Sequence, residues 1–404
     1  MTRKVSFGIV VVLIVISIVI SSTATVFIIF THYNKLISDL PEKAEQYIRL
    51  SEIDELLRNE YYGNINIDFI DARLAEGYID GLDDEYSIYI SADEFDDFSN
   101  YLDGKMSGSG ITAFCDESTG YLKVSHVASG SSAALAGIDS DCSIVAVNGN
   151  AVNYNNYEQL YSLISGGYDK TVVVSYIKGS VSEAQPIEIE LTLGYEINSC
   201  FYNENTDIGY IRITDFTQKT ISIITEALKY YSANAVSDII IDVRNCSSYN
   251  YDVAAKIIDA IVPICNEGTG AIYTAKDING EIIQSYSSDS VSVNLSFAVL
   301  INSRTAGAAE LLAVDLSDFG KAILVGENTA GNGKLQKLFR LSDGGAVFLT
   351  VAKVYPYISD SFDEIGVAPH IVSESTDAFD NRLDFTDFEN DHQYQAAFSY
   401  LSDK

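Results

Sequence analysis

The chain has 404 residues, 47% of them hydrophobic, and its 57 acidic against 25 basic side chains give a formal charge of −32. That length allows two or three domains with cores of their own, and 27 tyrosines among only 20% charged residues exclude the composition of a disordered chain. So negative a balance repels phosphate, which argues against nucleic acid as a partner and against broad contact with anionic headgroups.

In the first thirty residues the only charges are Arg3 and Lys4, ahead of an uncharged run from Val5 to Phe30. About 20 apolar residues cross a hydrocarbon core, so residues 1–31 are read as a cytoplasmic tip and one uncleaved signal-anchor transmembrane helix. The small residues Ser21, Ser22, Thr23 and Ala24 keep a cleaved signal peptide as the competing reading. Arg3 and Lys4 place the N-terminus in the cytoplasm, which makes this a single-pass cell-membrane protein with its bulk outside. Residues 32–103 read as a helical segment, with Ile70, Leu74 and Ile79 at loose helical spacing. The acidic cluster Asp93, Glu94, Asp96 and Asp97 reads as a solvated helix face.

A second unit, residues 104–180, opens with Ser107-Gly108-Ser109-Gly110-Ile111-Thr112, followed by a strand at Tyr121–Val127 and the segment Ala133-Ala134-Leu135-Ala136-Gly137-Ile138. A strand Ser143–Val147 ends on Asn148-Gly149, a tight-turn signal. Tyr157, Leu160, Tyr161 and Ile164 then recur at helical spacing before the β-branched strand Thr171–Ile177. This order resembles a PDZ domain, in which a partner's extended C-terminus adds a strand to a sheet edge and loop N–H groups hold its carboxylate. The resemblance assigns Gly108, Ser109, Gly110, Ile111 and Thr112 to the carboxylate loop and strand. Tyr157, Leu160, Tyr161 and Ile164 divide between groove wall and core.

From residue 181 to 372 near-continuous apolar strands alternate with amphipathic helices. Ile187, Ile189, Leu191 and Leu193 alternate with polar residues as a half-buried strand does, and mark the start of this unit. Strands at Ile208–Ile213, Asp238–Val243, Phe297–Ile301 and Ala322–Val325, with helices at Ile221–Tyr230, Val253–Val262 and Ala308–Leu316, describe an α/β core. The acidic tail, 373–404, carries Tyr394, Ala397, Phe398 and Leu401 at helical spacing and is expected to dock back on that core. Cys115, Cys142, Cys200, Cys246 and Cys265, with His32, His126, His370 and His392, are dispersed, so neither a zinc site nor a disulfide framework is signalled and no cofactor is expected.

Three pieces of the core carry a resemblance to a known family: Ile208-Gly209-Tyr210-Ile211-Arg212-Ile213 with Phe216, then Ile240-Ile241-Asp242-Val243-Arg244-Asn245, then Val299-Leu300-Ile301-Asn302 through Ala306, Glu310 and Leu311 to Gly326-Glu327, Thr329, Gly331 and Gln336. With Leu82-Asp83-Asp84-Glu85-Tyr86 and Phe95 before them and Gly366-Val367-Ala368-Pro369 after, they resemble the carboxyl-terminal-processing (tail-specific) serine peptidases over about residues 50–401. The resemblance implies an α/β fold: a ClpP/crotonase-like core with an inserted PDZ-like domain. It also implies a Ser/Lys dyad, in which a desolvated lysine takes the serine proton and backbone N–H groups hold the oxyanion.

Carried over residue by residue, the dyad is absent. The nucleophile's slot is Gly307, the lysine's slot is Asn332, and after Arg244-Asn245 the family's proline and paired glycines give way to Cys246-Ser247-Ser248-Tyr249. Loss of such a nucleophile costs on the order of 10⁶ in turnover. A shifted Ser303 or Thr305 with Lys334 is the one rescue the sequence allows, since residues two apart on a strand face the same way about 6.6 Å apart. Against it, Thr305 reads as a helix cap and Lys334 as a surface charge. Gly326–Gly331 brushes a phosphate-loop pattern but lacks its Lys-Ser/Thr pair, and no GxSxG elbow occurs.

The reading is therefore a membrane-anchored homologue of these peptidases, catalytically inactive, that binds protein C-termini or unstructured peptides and could occupy a place beside an active homologue. An active peptidase using the shifted pair and a structural envelope protein are the alternatives.

Overall fold

The computed structural model describes residue 23 and residues 40–403, except 117, 129, 180–184, 197–199, 205, 263–270, 289–292 and 375–387. The expected membrane span at residues 5–30 lies outside the described residues, as do Cys265 and His32. Among the described residues no helix is long and apolar enough to cross a membrane.

The chain divides into two compact units at Leu74. In the first, Leu50, Ile53 and Leu57 of helix α1 (Leu40–Glu60) line a crevice with Ile67, Ile70 and Leu74 from the start of helix α2 (Ile67–Asp80).

The second unit holds three larger sheets. A segment expected to be helical contributes a strand, β1 (Ile88–Ile90), before helix α3 (Phe95–Leu102), whose Asp96 and Asp97 lie exposed in the first turn. β2 (Lys105–Met106) leads into β3 (Ile111–Cys115), β4 (Leu122–Val127), the short helix α4 (Ser132–Leu135), β5 (Cys142–Val147), β6 (Asn150–Ala151), helix α5 (Tyr157–Ser165), β7 (Lys170–Lys178), β8 (Ile187–Leu193) and β9 (Tyr195–Glu196). Asn148 and Gly149, both at positive φ, turn β5 into β6, the conformation an Asn-Gly hairpin turn requires.

One boundary differs from the sequence reading. β8, taken there as the start of the α/β core, pairs antiparallel along its whole length with Lys170–Tyr176 of β7, and its Leu191 and Leu193 sit in the same hydrophobic cluster as Ile144, Val174 and Ile164. The inserted unit therefore runs past 180, and the β2–β9 pair closes its neck. Alternation marks a strand with two unlike faces but not which sheet receives it.

The core sheet runs β10 (Cys200–Tyr202), β11 (Gly209–Ile213), β12 (Asp238–Asp242), β16 (Ser296–Ile301), β18 (Ala322–Gly326) and β21 (Ile371–Val372), all parallel except β10. Strand parity divides its two faces. Ile211, Ile239, Ile241, Val299 and Ile301 face helices α6 (Gln218–Ala233), α7 (Tyr251–Asp259) and α8 (Ala308–Asp318). Tyr210, Ile240, Ala298 and Leu300 face Tyr394, Ala397 and Leu401 of α9 (His392–Ser402), so the tail helix docks on the core. The second sheet of this half, β1-β20-β14-β15 with β19 on β20, joins Ala346–Tyr355 (β20) to Ala271–Lys276 (β14), Ile282–Ser287 (β15) and Lys334–Arg340 (β19). Two residue pairs, Ser247–Ser248 (β13) and Ala306–Gly307 (β17), form a small parallel ladder of their own.

Candidate active site

Loops at the carboxyl ends of parallel strands are where an open α/β sheet presents its ligands. Three such loops meet here: 243–250 after β12, 302–307 after β16 and 327–333 after β18. Asn302 ties the first two, accepting the N–H groups of Asn245 (3.0 Å) and Arg304 (3.2 Å) and donating its amide to Asn245 Oδ1 (2.8 Å). Buried Thr305 adds a clamp: its hydroxyl accepts from Asn302 N and donates to Val243 O, both at 3.0 Å, while its carbonyl receives Ala330 N.

Gly307 is the residue that caps α8, so the sequence expectation of Thr305 as cap is corrected. Gly307 sits at φ 66° and ψ −119°, a conformation that favours glycine. A Cβ placed there would lie 2.2 Å from the Ser248 carbonyl oxygen. The ladder between Ser248 and Gly307 thus leaves no room for a side chain at the position that the resemblance assigns to the nucleophile.

Asn332, the position that the resemblance assigns to the lysine, is buried. Its carbonyl accepts the Tyr251 hydroxyl at 2.7 Å, and that hydroxyl is 3.7 Å from where a Cβ at 307 would stand. What holds the two slots together is Glu310. Its carboxylate receives Gly307 N (2.9 Å), Asn332 N (2.8 Å), Gly331 N (2.7 Å) and the Thr329 hydroxyl. Burial pushes this carboxyl up, opposed by those four donors.

The residues proposed for a shifted dyad are not brought together by any of these bonds. Thr305's hydroxyl is committed as described, Ser303 is exposed on its loop, and Lys334 reaches Asp84 Oδ1 at 3.4 Å with its ammonium 5.4 Å from the Tyr86 ring centroid.

Beside the closed slots lies a cavity of about 220 Å³ that sequence reading did not find. Its walls include Tyr101, Phe216, Tyr249 and Phe348, and its polar groups include Asp215, Ser248 and Gln336. Burial raises the Asp215 carboxyl, while the Ser248 hydroxyl and the Phe216 N–H, at 2.7 Å, hold it down. Burial and then the Asp215 charge push the Tyr101 phenol up to about 12. Phe216 and Gln336 lie in the family-like motifs and Ser248 and Tyr249 in the segment that departs from them, whereas Asp215, after β11, and Tyr101, on α3, are marked by no motif.

In the inserted unit, β3 is the edge strand and α5 packs against it, with the Tyr161 hydroxyl 3.5 Å from the Ile111 carbonyl. Leu160 and Ile164 are core; Tyr157 and Tyr161 are half-buried against it, and Thr112 is exposed on β3. Gly108 and Ser109 give their N–H groups to Gly167 O and Ile164 O, each at 2.8 Å, so these two donors are already taken within the fold. Gly110 lies at φ 83° and follows them into β3. No group of three metal-ligating side chains is gathered among the described residues.

Residues 207–373 match the model of peptidase family S41. The chain is 29% identical over 310 residues to "Carboxyl-terminal-processing peptidase 3, chloroplastic" of Arabidopsis thaliana, covering 72% of this chain and 58% of that protein. It is 26% identical over 334 residues to "Carboxy-terminal processing protease CtpA" of Bacillus subtilis, covering 82% of this chain and 70% of that one. A Bacteroides fragilis structure assigned to the S41 proteases shares the fold at a TM-score of 0.52 and 19% identity, over 81% of this chain and 90% of that one. With the core motifs in the same order along the strands that carry the three loops, this chain belongs to the carboxyl-terminal-processing peptidases of family S41.

Proposed function

We propose that this chain is a catalytically inactive member of its family, anchored in the membrane by residues 1–31, that binds protein tails or unstructured peptides. The observation that carries the reading is the Ser248 carbonyl, 2.2 Å from the position of any Cβ at 307. Acyl transfer needs a nucleophile and a base within about 3 Å of each other, and here the nucleophile's slot admits no side chain while the base's slot holds an amide. The committed Thr305 hydroxyl speaks against the shifted dyad in the same way.

The binding surface in this reading is the PDZ-like groove between β3 and α5, where an extended peptide would add a strand beside Ile111 and Thr112. Tyr157 and Tyr161 form its wall, and the carboxylate falls to the loop at Gly110 and Ile111 because Gly108 and Ser109 are spent on the end of α5. The test is fluorescence anisotropy of the full chain in detergent with a library of unstructured peptides. Saturable binding that weakens at least tenfold on C-terminal amidation supports the reading, and binding of no peptide would favour a structural envelope role instead.

A further inference from the structure

The cavity beside the closed slots has a chemistry that the slots do not explain. Asp215 is a half-buried carboxylate whose partners are two neutral donors, its neighbour's N–H and the Ser248 hydroxyl, and no cation pairs with it among the described residues. Even partial withdrawal of a carboxylate from water without a counter-charge carries a cost. Gln336, only 7% exposed, donates its amide to Thr350 Oγ1 at 3.1 Å and leaves Oε1 without a partner. A carboxylate without a counter-charge and an amide oxygen without a donor thus border one cavity, walled by the rings of Tyr101, Phe216, Tyr249 and Phe348.

A guanidinium meets all of these conditions. It is planar, always charged, offers five donors, and stacks on aromatic faces. A lysine ammonium would meet the charge but not the planar walls. The net charge of −32 favours approach of basic peptides. Lys105 and Lys219 line a separate cavity that adjoins this one at Leu102, Thr217 and Asn250, and neither is among the residues that line the Asp215 cavity.

We propose that the cavity of Asp215, Gln336 and the four aromatic rings is a binding pocket for an arginine side chain of the peptide this protein holds. The pocket rests on the reading of the chain as a peptide binder and assigns a residue preference to it. Peptide recognition would then use two points, the strand edge of the inserted unit and a guanidinium pocket in the remnant of the active site.

The test uses the full chain in detergent and a fluorescent, unstructured peptide with one central arginine, against the same peptide carrying citrulline, its neutral isostere, or lysine. The arginine peptide should bind at least tenfold tighter than the citrulline peptide and more tightly than the lysine peptide. Asp215→Asn, which keeps an oxygen for the Phe216 N–H, should erase the difference. Equal binding of arginine and citrulline peptides by the unaltered chain overturns the pocket but leaves peptide binding standing. Arginine preference retained in the Asp215→Asn variant overturns it also. Binding of none of the peptides overturns both readings together.

Discussion

The backbone N–H groups of Gly307 and Asn332 end on the same atom, Oε2 of Glu310, at 2.9 and 2.8 Å. The two positions that the resemblance assigns to the family's dyad are therefore held in register by a buried carboxylate in the first turn of α8. Each buried donor left unmet costs about 1–3 kcal/mol, and Glu310→Ala would leave four. We expect that variant to lose about 3 kcal/mol or more in urea denaturation, with Glu310→Gln losing less because it keeps one acceptor oxygen.

A serine placed at position 307 should harm the protein. Strained backbone of this kind costs about 1–3 kcal/mol for a residue with a side chain, and the Ser248 carbonyl adds a collision with main chain, which cannot rotate away. Gly307→Ser is expected to lower stability by about 2 kcal/mol or more, and Gly307→Ser with Asn332→Lys to hydrolyse no peptide. Thermal unfolding of each variant checks the first point and peptide turnover the second.

The tail helix is locked by charge. Arg244 grips Asp242 through Nε and Nη2 and Asp391 through Nη1 and Nη2 at 2.6–3.0 Å, with Arg212 and the Tyr210 hydroxyl also on Asp242. Removing one member of a buried pair costs about 3–5 kcal/mol, so Asp391→Ala should be strongly destabilised and should expose α9 to proteolysis. Burial raises the Asp242 carboxyl, but Arg212 and Arg244 outweigh it and hold it well below the usual range. A carboxyl depressed in the folded state contributes stability above its unfolded pKa and loses it as pH falls towards the folded value. Denaturation midpoints should therefore drop below about pH 4, and Asp242→Asn should flatten that drop.

Asp315 has the opposite sign. It is fully buried in α8, Oδ1 accepts Tyr357 N at 2.9 Å, Oδ2 has no partner, and burial then Asp318 push its carboxyl well up. A raised carboxyl favours the folded state in acid, and that advantage is lost as pH rises above the ordinary aspartate range. Asp315→Asn should leave stability at pH 3 nearly unchanged and raise it by about 1 kcal/mol or more at pH 7; equal effects at both pH values would contradict this.

Much of the scaffold was legible because its signals are local. The strand runs at Ile208, Asp238, Phe297 and Ala322 and the helices that follow them are close to where periodicity puts them, and the helical spacing of Tyr394, Ala397 and Leu401 became a docked helix. The sheet formed by β1, β14, β15, β19 and β20 escaped notice. Its short β1 sits between helices, and β20, besides its hairpin with β19, takes β1 and β14 from segments far away in sequence. At the site, Gly307 and Asn332 could be singled out only through the resemblance to the family's motifs. That Ser248 fills the space above Gly307 depends on a two-residue ladder, and that Asp215 meets Gln336 at one cavity depends on the approach of two sheets. Neither leaves a mark within a window of sequence.

The central claim is that the fold holds peptides without cutting them. The direct measurement is mass spectrometry of an unstructured peptide with a free C-terminus, incubated at saturating concentration with the full chain in detergent. The account predicts that the peptide is recovered intact while its binding is saturable. Hydrolysis that disappears in Thr305→Ala, Lys334→Ala or Ser248→Ala would contradict it and locate a nucleophile or base that the closed slots do not contain.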